Sequence, residues 1–131
     1  MALQITNLTR RKIDKKILQE AFLAAQKILG EKVKEASLVL INDARIREIN
    51  KKYRGQNRVT DVLSFDVLNE IFISIPQARQ QAKERKIRLN CELTRLLVHG
   101  IVHLAGYDHK KSVKKAERMF AVEEKILKNL K

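Results

Sequence analysis

Residues Ala36-Ser37-Leu38-Val39-Leu40-Ile41 form a short, almost wholly apolar run closed by Asn42-Asp43. A run of that length with a capping pair behind it reads as a strand buried in a sheet, followed by a capped helix over about 44–53 that Gly55 can terminate. The rest of the chain has to supply the cover. Ile17, Leu18, Ala21, Phe22, Ala25, Ile28 and Leu29 recur with the 3.6-residue period of a helix packed on a sheet, with Asp14 as N-cap, Ile13 stapled to Leu18 and Gly30 as the stop. Residues 3–8 suit a first strand, and Val62-Leu63-Ser64-Phe65 with Ile71-Phe72-Ile73-Ser74 suggest a hairpin. Pro76 opens another helix, and two more are expected over about 90–107 and 113–130. The last has Ser112 as N-cap and Val113, Ala116, Phe120, Leu127 and Leu130 on its inner face. The expected fold is α+β: one compact domain over 1–131, with a small mixed sheet of about four strands and about five helices.

Charge narrows the partners. Lys and Arg number 28 against 15 Asp and Glu, a formal net charge of +13 that points to a polyanion, although a basic chain can also simply be soluble. The basic residues gather at Arg10-Arg11-Lys12, at Lys51-Lys52 with Arg54 and Arg58, from Lys83 to Arg88, and at Lys110-Lys111 with Lys114-Lys115. Most such lysines are solvated surface, and the clusters rather than the individuals are the candidate phosphate contacts. Six aromatic residues, two Tyr and four Phe, argue against extensive base stacking. The single cysteine, Cys91, excludes an internal disulfide and reads as a small helix-packing residue in a reducing compartment. No charged-then-apolar leader opens Met1-Ala2-Leu3-Gln4, and no apolar run approaches the roughly twenty residues that cross a bilayer, so a cytoplasmic protein without membrane contact is expected.

All three histidines fall within His99-Gly-Ile-Val-His103-Leu-Ala-Gly106-Tyr-Asp-His109. A spacing of four puts His99 and His103 one helical turn apart and about 40° around the axis, so that two imidazoles can share one ion. Gly106 can take a left-handed conformation and return His109 towards them. Three neutral ligands plus water describe an open catalytic zinc site, one ion per chain, on a late helix and the turn after it. Isolated His-x-x-x-His pairs are more often ordinary histidines. Here, however, Leu93, Leu97, Ile101 and Leu104 form an apolar face roughly 100° away, which leaves the histidines no packing duty. A structural zinc remains open; it would need a fourth ligand, and Cys91 lies two turns away from His99.

The spacing also overlaps a metalloprotease signature that carries Glu directly after the first histidine. That position is Gly100, which cannot take a proton and whose small size leaves space beside the metal. Asp108 is either a catalytic acid-base group or a carboxylate orienting an imidazole. Glu92 and Arg95 share the face of His99 and read as a surface pair.

Two blocks resemble the YbeY family, bacterial endoribonucleases of ribosomal-RNA maturation and ribosome quality control. One is His99-Gly100 through Tyr107-Asp108-His109; the other is Asn50-Lys-Lys-Tyr53-Arg54-Gly55 followed by Thr60-Asp61-Val62-Leu63-Ser64-Phe65. The resemblance implies zinc on His99, His103 and His109, single-stranded RNA as substrate, and the small ribosomal subunit as working partner. It places Arg54 in the cleft near the metal, where a guanidinium can bind a phosphate; from sequence alone Arg54 is one basic residue at a helix C-terminus. His99 and Arg54 are then the candidate catalytic residues, with Arg54, Lys51, Lys52, Arg58 and Lys110 holding the RNA backbone. The chain departs from the family with Val59 and Asp66 where proline is common, and with Asn69-Glu70 in place of a Gly-Asp pair. Two rivals stay open: a ribosome-assembly module that binds RNA around a structural zinc, and a metal hydrolase of another substrate.

Overall fold

The computed structural model describes residues 3–107 and 112–130. Its elements run β1 (Leu3–Asn7), α1 (Lys15–Leu29), β2 (Ala36–Ile41), α2 (Asp43–Arg54), β3 (Val62–Phe65), β4 (Glu70–Ser74), α3 (Ile75–Arg85), α4 (Leu89–Leu104) and α5 (Val113–Lys128), with a single 3₁₀ turn at Gly30–Lys32. The caps sit where sequence places them. Asp14 accepts from the N–H groups of Lys16 and Ile17, Asn42 from Arg45, and Ser112 from Lys115, each satisfying donors that a helix start leaves open.

The strands form one mixed sheet in the order β1-β2-β4-β3. β2 is parallel to both β1 and β4, with Leu38 opposite Ile5 and Ile71, and β3 closes an antiparallel hairpin onto β4. Asn69 completes that hairpin turn at φ 51°, a left-handed conformation that asparagine tolerates better than most residues, which explains how this chain dispenses with glycine there.

Alternation along the strands divides the interior in two. Leu3, Leu38, Leu40, Ile71 and Ile73 turn to a large core shared with α1, α3, α4 and α5, while Ile41 and Leu63 turn to a smaller one, with Val39, Phe65 and Phe72 packed around it, against Ile46 and Ile49 of α2. Each fully buried Leu or Ile contributes about 1.5–3 kcal/mol of transfer free energy. α4 is buried on most of its circumference, Leu96, Val98 and Val102 joining Leu93, Leu97 and Ile101, because it lies between the sheet and helices α1, α3 and α5.

Three sequence expectations need correction here. The inner face of α5 is Met119 and Ile126 flanked by Val122, Leu127 and Leu130, whereas Val113 and Phe120 are exposed; one residue along a helix is about 100° of rotation, and the stripe meeting α1 and α4 is the one through Met119. Cys91 is exposed rather than packed. Gly100 does not open space beside a metal: an added Cβ would lie 2.9 Å from Ile71 Cγ2 and 3.1 Å from Ser64 Oγ, so the bare backbone is what lets α4 sit down on β3 and β4. Among the described residues no helix is long and apolar enough to cross a membrane.

Candidate active site

His99 and His103 project from the last two turns of α4 with ring centroids 5.0 Å apart and planes at 82°. The helix ends one residue later. Gly106, at φ 100°, lets its own N–H reach the His103 carbonyl and the Tyr107 N–H reach Val102, the paired bonds of a left-handed C-terminal cap. Asp108, His109 and Lys110, expected as orienting carboxylate, third ligand and phosphate contact, lie outside the described residues.

A carboxylate that sequence reasoning did not pick meets the first imidazole. Glu123 Oε1 on α5 is 2.9 Å from His99 Nδ1, and the Glu123 side chain is largely buried. A carboxylate at this distance favours the tautomer with the proton on Nδ1, which puts the lone pair on Nε2, the atom suited to a metal. The available signal was an acid four residues after Met119 within a stripe that otherwise buries apolar side chains. Two imidazoles on adjacent turns, one of them oriented by a carboxylate, are a donor set that fits a divalent zinc-like ion.

Glu92 cannot serve such an ion. It is fully buried, and both its oxygens accept from Arg95, at 3.0 Å from Nε and 2.8 Å from Nη2, with Arg85 Nε a further 3.7 Å away. The hydrogen bonds to Glu92 raise the Arg95 pKa above its ordinary value; burial opposes this, and the charges of Glu92, Asp61 and Glu123 add to it. What sequence suggested as a surface pair is a partly buried ion pair within α4, and Arg85 at the end of α3 reaches the same carboxylate.

His103 also lines a groove enclosing about 1080 Å³, which runs from the C-terminal end of α4 past the β3–β4 turn and along the sheet face beneath α2. The last turn of α2 brings Lys52, Tyr53 and Arg54 to it. Gly55, left-handed at φ 67°, stops the helix there, and the buried amide of Asn50 donates to the Arg58 carbonyl at 3.0 Å to pin the loop that follows. Arg54 Nη2 donates to the Ser64 carbonyl at 2.6 Å, and its guanidinium lies 5.1 Å from the Phe65 ring centroid. Ser64 Oγ in turn donates to the Gly100 carbonyl at 3.4 Å. A hydrogen-bonded path thus joins Arg54 to the residue beside His99. Lys51 and Arg58 are exposed near the same helix end but do not line the groove.

Fold and site together define a basic α+β protein in which one member of a histidine pair lines a groove with an anchored arginine on its wall, and the other is met by a carboxylate. The profile of the family described as Endoribonuclease YbeY matches residues 3–131. Endoribonuclease YbeY of Persephonella marina is 39% identical over 132 residues, covering 92% of this chain and 86% of that one. That of Sulfurihydrogenibium is 41% identical over 133 residues with the same coverage, and that of Aquifex aeolicus 36% identical over 135 residues, covering 96% and 90%. A solution structure of a Thermotoga maritima protein superposes with a TM-score of 0.67 at 29% identity, over 98% of this chain and 88% of that one. The chain belongs to the endoribonuclease YbeY family.

Proposed function

We propose that the protein is a zinc-dependent endoribonuclease that cuts single-stranded RNA and acts in ribosomal-RNA processing, in maturation of the small-subunit RNA and in ribosome quality control. The observation that carries the chemical part is the meeting of His103 and Arg54 on one groove, with His99 held by Glu123 beside it. His99, His103 and His109 would hold the ion, which when bound supplies Lewis acidity towards a phosphate oxygen. Arg54, already fixed by Ser64 and Phe65, spends little conformational entropy on reaching a phosphate, and Lys52 adds charge along the same wall. The net charge of +13 attracts RNA to the groove from a distance. The ribosomal context and a cytoplasmic location rest on family membership together with that charge.

Cleavage of a small-subunit ribosomal-RNA fragment tests the reading, with wild type, His99→Ala, Arg54→Ala and a chelated sample purified side by side. Wild type is expected to cut, His99→Ala and the chelated sample to be inactive, and Arg54→Ala to be slowed by about 10²-fold or more, the scale of losing a charged donor to the transition state. Equal behaviour of all four samples would mark the activity as absent or foreign.

A further inference from the structure

Aromatic residues are scarce in this chain, six in 131, yet Tyr53, Phe65, Phe72 and Tyr107 all line the groove. Phe65 and Phe72 also pack around the smaller core and Tyr107 against the larger one, but Tyr53 belongs to neither. Three form a ladder from the interior outward: Phe72 meets Phe65 edge to face at 5.8 Å, and Phe65 meets Tyr53 at 5.7 Å. Its outer rung, Tyr53, is 62% exposed, although its ring could cover more apolar surface if packing were its task. Cations lie over two of the rings, Lys52 Nζ at 5.4 Å from the Tyr53 centroid and the Arg54 guanidinium at 5.1 Å from that of Phe65, so a base would take the remaining exposed face of Tyr53. The β3–β4 turn adds Val67 and Leu68, 90% and 70% exposed, to the apolar lining. Ring and cation alternate on the scale of one nucleotide, which is the pattern of a single-stranded nucleic-acid site: base on the aromatic face, phosphate on the charge.

We propose that Tyr53 is a stacking platform for an unpaired RNA base, seated on the exposed face of its ring in the groove that Val67 and Leu68 also line, while Lys52 and Arg54 take the adjoining phosphates. The inference rests on the RNA-cleaving reading above and adds to it why the groove selects single strands: bases in a duplex are already stacked on each other and do not reach the ring.

The test is equilibrium binding of the full chain to a short 2′-O-methyl oligonucleotide, checked for integrity afterwards, and to an abasic oligomer with the same number of phosphates. Wild type, Tyr53→Phe and Tyr53→Leu are compared, with thermal melts confirming that each is folded. Tyr53→Leu is expected to weaken binding of the base-bearing oligomer about tenfold and Tyr53→Phe to stay within about twofold of wild type, because stacking needs the ring and not the hydroxyl. The abasic oligomer should bind wild type and Tyr53→Leu alike. Equal weakening of both oligomers by Tyr53→Leu, or weakening of neither, overturns the stacking site while leaving the ribonuclease reading intact. If wild type binds neither oligomer, the RNA reading itself fails.

Discussion

Replacing Gly100 by alanine sets two calculable effects against each other. Gly100 lies inside α4, where alanine is favoured over glycine by about 1 kcal/mol of helix propensity. Against that, the new methyl would sit 2.9 Å from Ile71 Cγ2 and 3.2 Å from Ile71 Cδ1. Ile71 is fully buried on β4, and its β-branched side chain has little rotamer freedom with which to retreat, so relief requires α4 to lift from the sheet. Overpacking of this kind costs about 1–3 kcal/mol. The difference leaves Gly100→Ala destabilised by about 1 kcal/mol, within a range of about 0–2 kcal/mol. Urea denaturation reads this as a lower midpoint at unchanged slope. A double-mutant cycle isolates the Ile71 part of the cause, since Ile71→Ala removes both methyls that the new Cβ meets and leaves only Ser64 Oγ, at 3.1 Å, whose hydroxyl can rotate away. In that background Gly100→Ala should reverse sign and stabilise by up to about 1 kcal/mol. A single Gly100→Ala variant more stable than wild type, or an unchanged penalty in the Ile71→Ala background, would refute the close-approach argument.

Two further predictions concern the supports of the site. Truncating Glu123→Ala should weaken zinc affinity about 10–100-fold in competition with a colorimetric chelator, whereas Glu123→Gln, whose amide oxygen still accepts from His99 Nδ1, should keep most of it; unchanged affinity in the alanine variant would remove Glu123 from the metal's support. Asn50→Ala strips the buried donor from the Arg58 carbonyl and should cost about 1–3 kcal/mol by chemical denaturation. Asn50→Asp, which turns a carboxylate towards that carbonyl, should cost more than the alanine change, and the reverse order would mean that the amide bond is not what holds the loop.

What the sequence revealed, and what it did not, divides along the range of the interactions involved. Asp14, Asn42 and Ser112 cap helices through N–H groups two or three residues away, and such contacts leave a local signature. The buried strand at 36–41 and the hairpin that follows were legible for the same reason. The insertion of β4 between β2 and β3 is a long-range choice that no local pattern encodes. Glu92 and Arg95 are three residues apart whether the pair faces water or the interior, and only the seating of α4 against α3 makes it buried. Glu123 reaches His99 across 24 residues of sequence, so the carboxylate nearest the histidines in sequence, Asp108, drew the attention instead. On α5 the spacing of Val113, Ala116 and Phe120 is as helical as that of Met119, Val122 and Ile126, and periodicity cannot rank two stripes when tertiary contact decides which is covered.

The burial of α4 has a consequence for synthesis. All four strands are complete once Ser74 has been made, but the helix that covers Leu38, Ile71 and Ile73 ends only at Leu104, and the imidazoles lie on its final turns. A nascent chain therefore carries an apolar sheet face only partly covered for about thirty residues of elongation, a few seconds at ordinary rates of synthesis. The element that ends this exposure is the same one that delivers His99 and His103. A fragment stopping before it would be both inert and prone to aggregate, so an RNA-cutting site cannot arise on this scaffold before its core has closed.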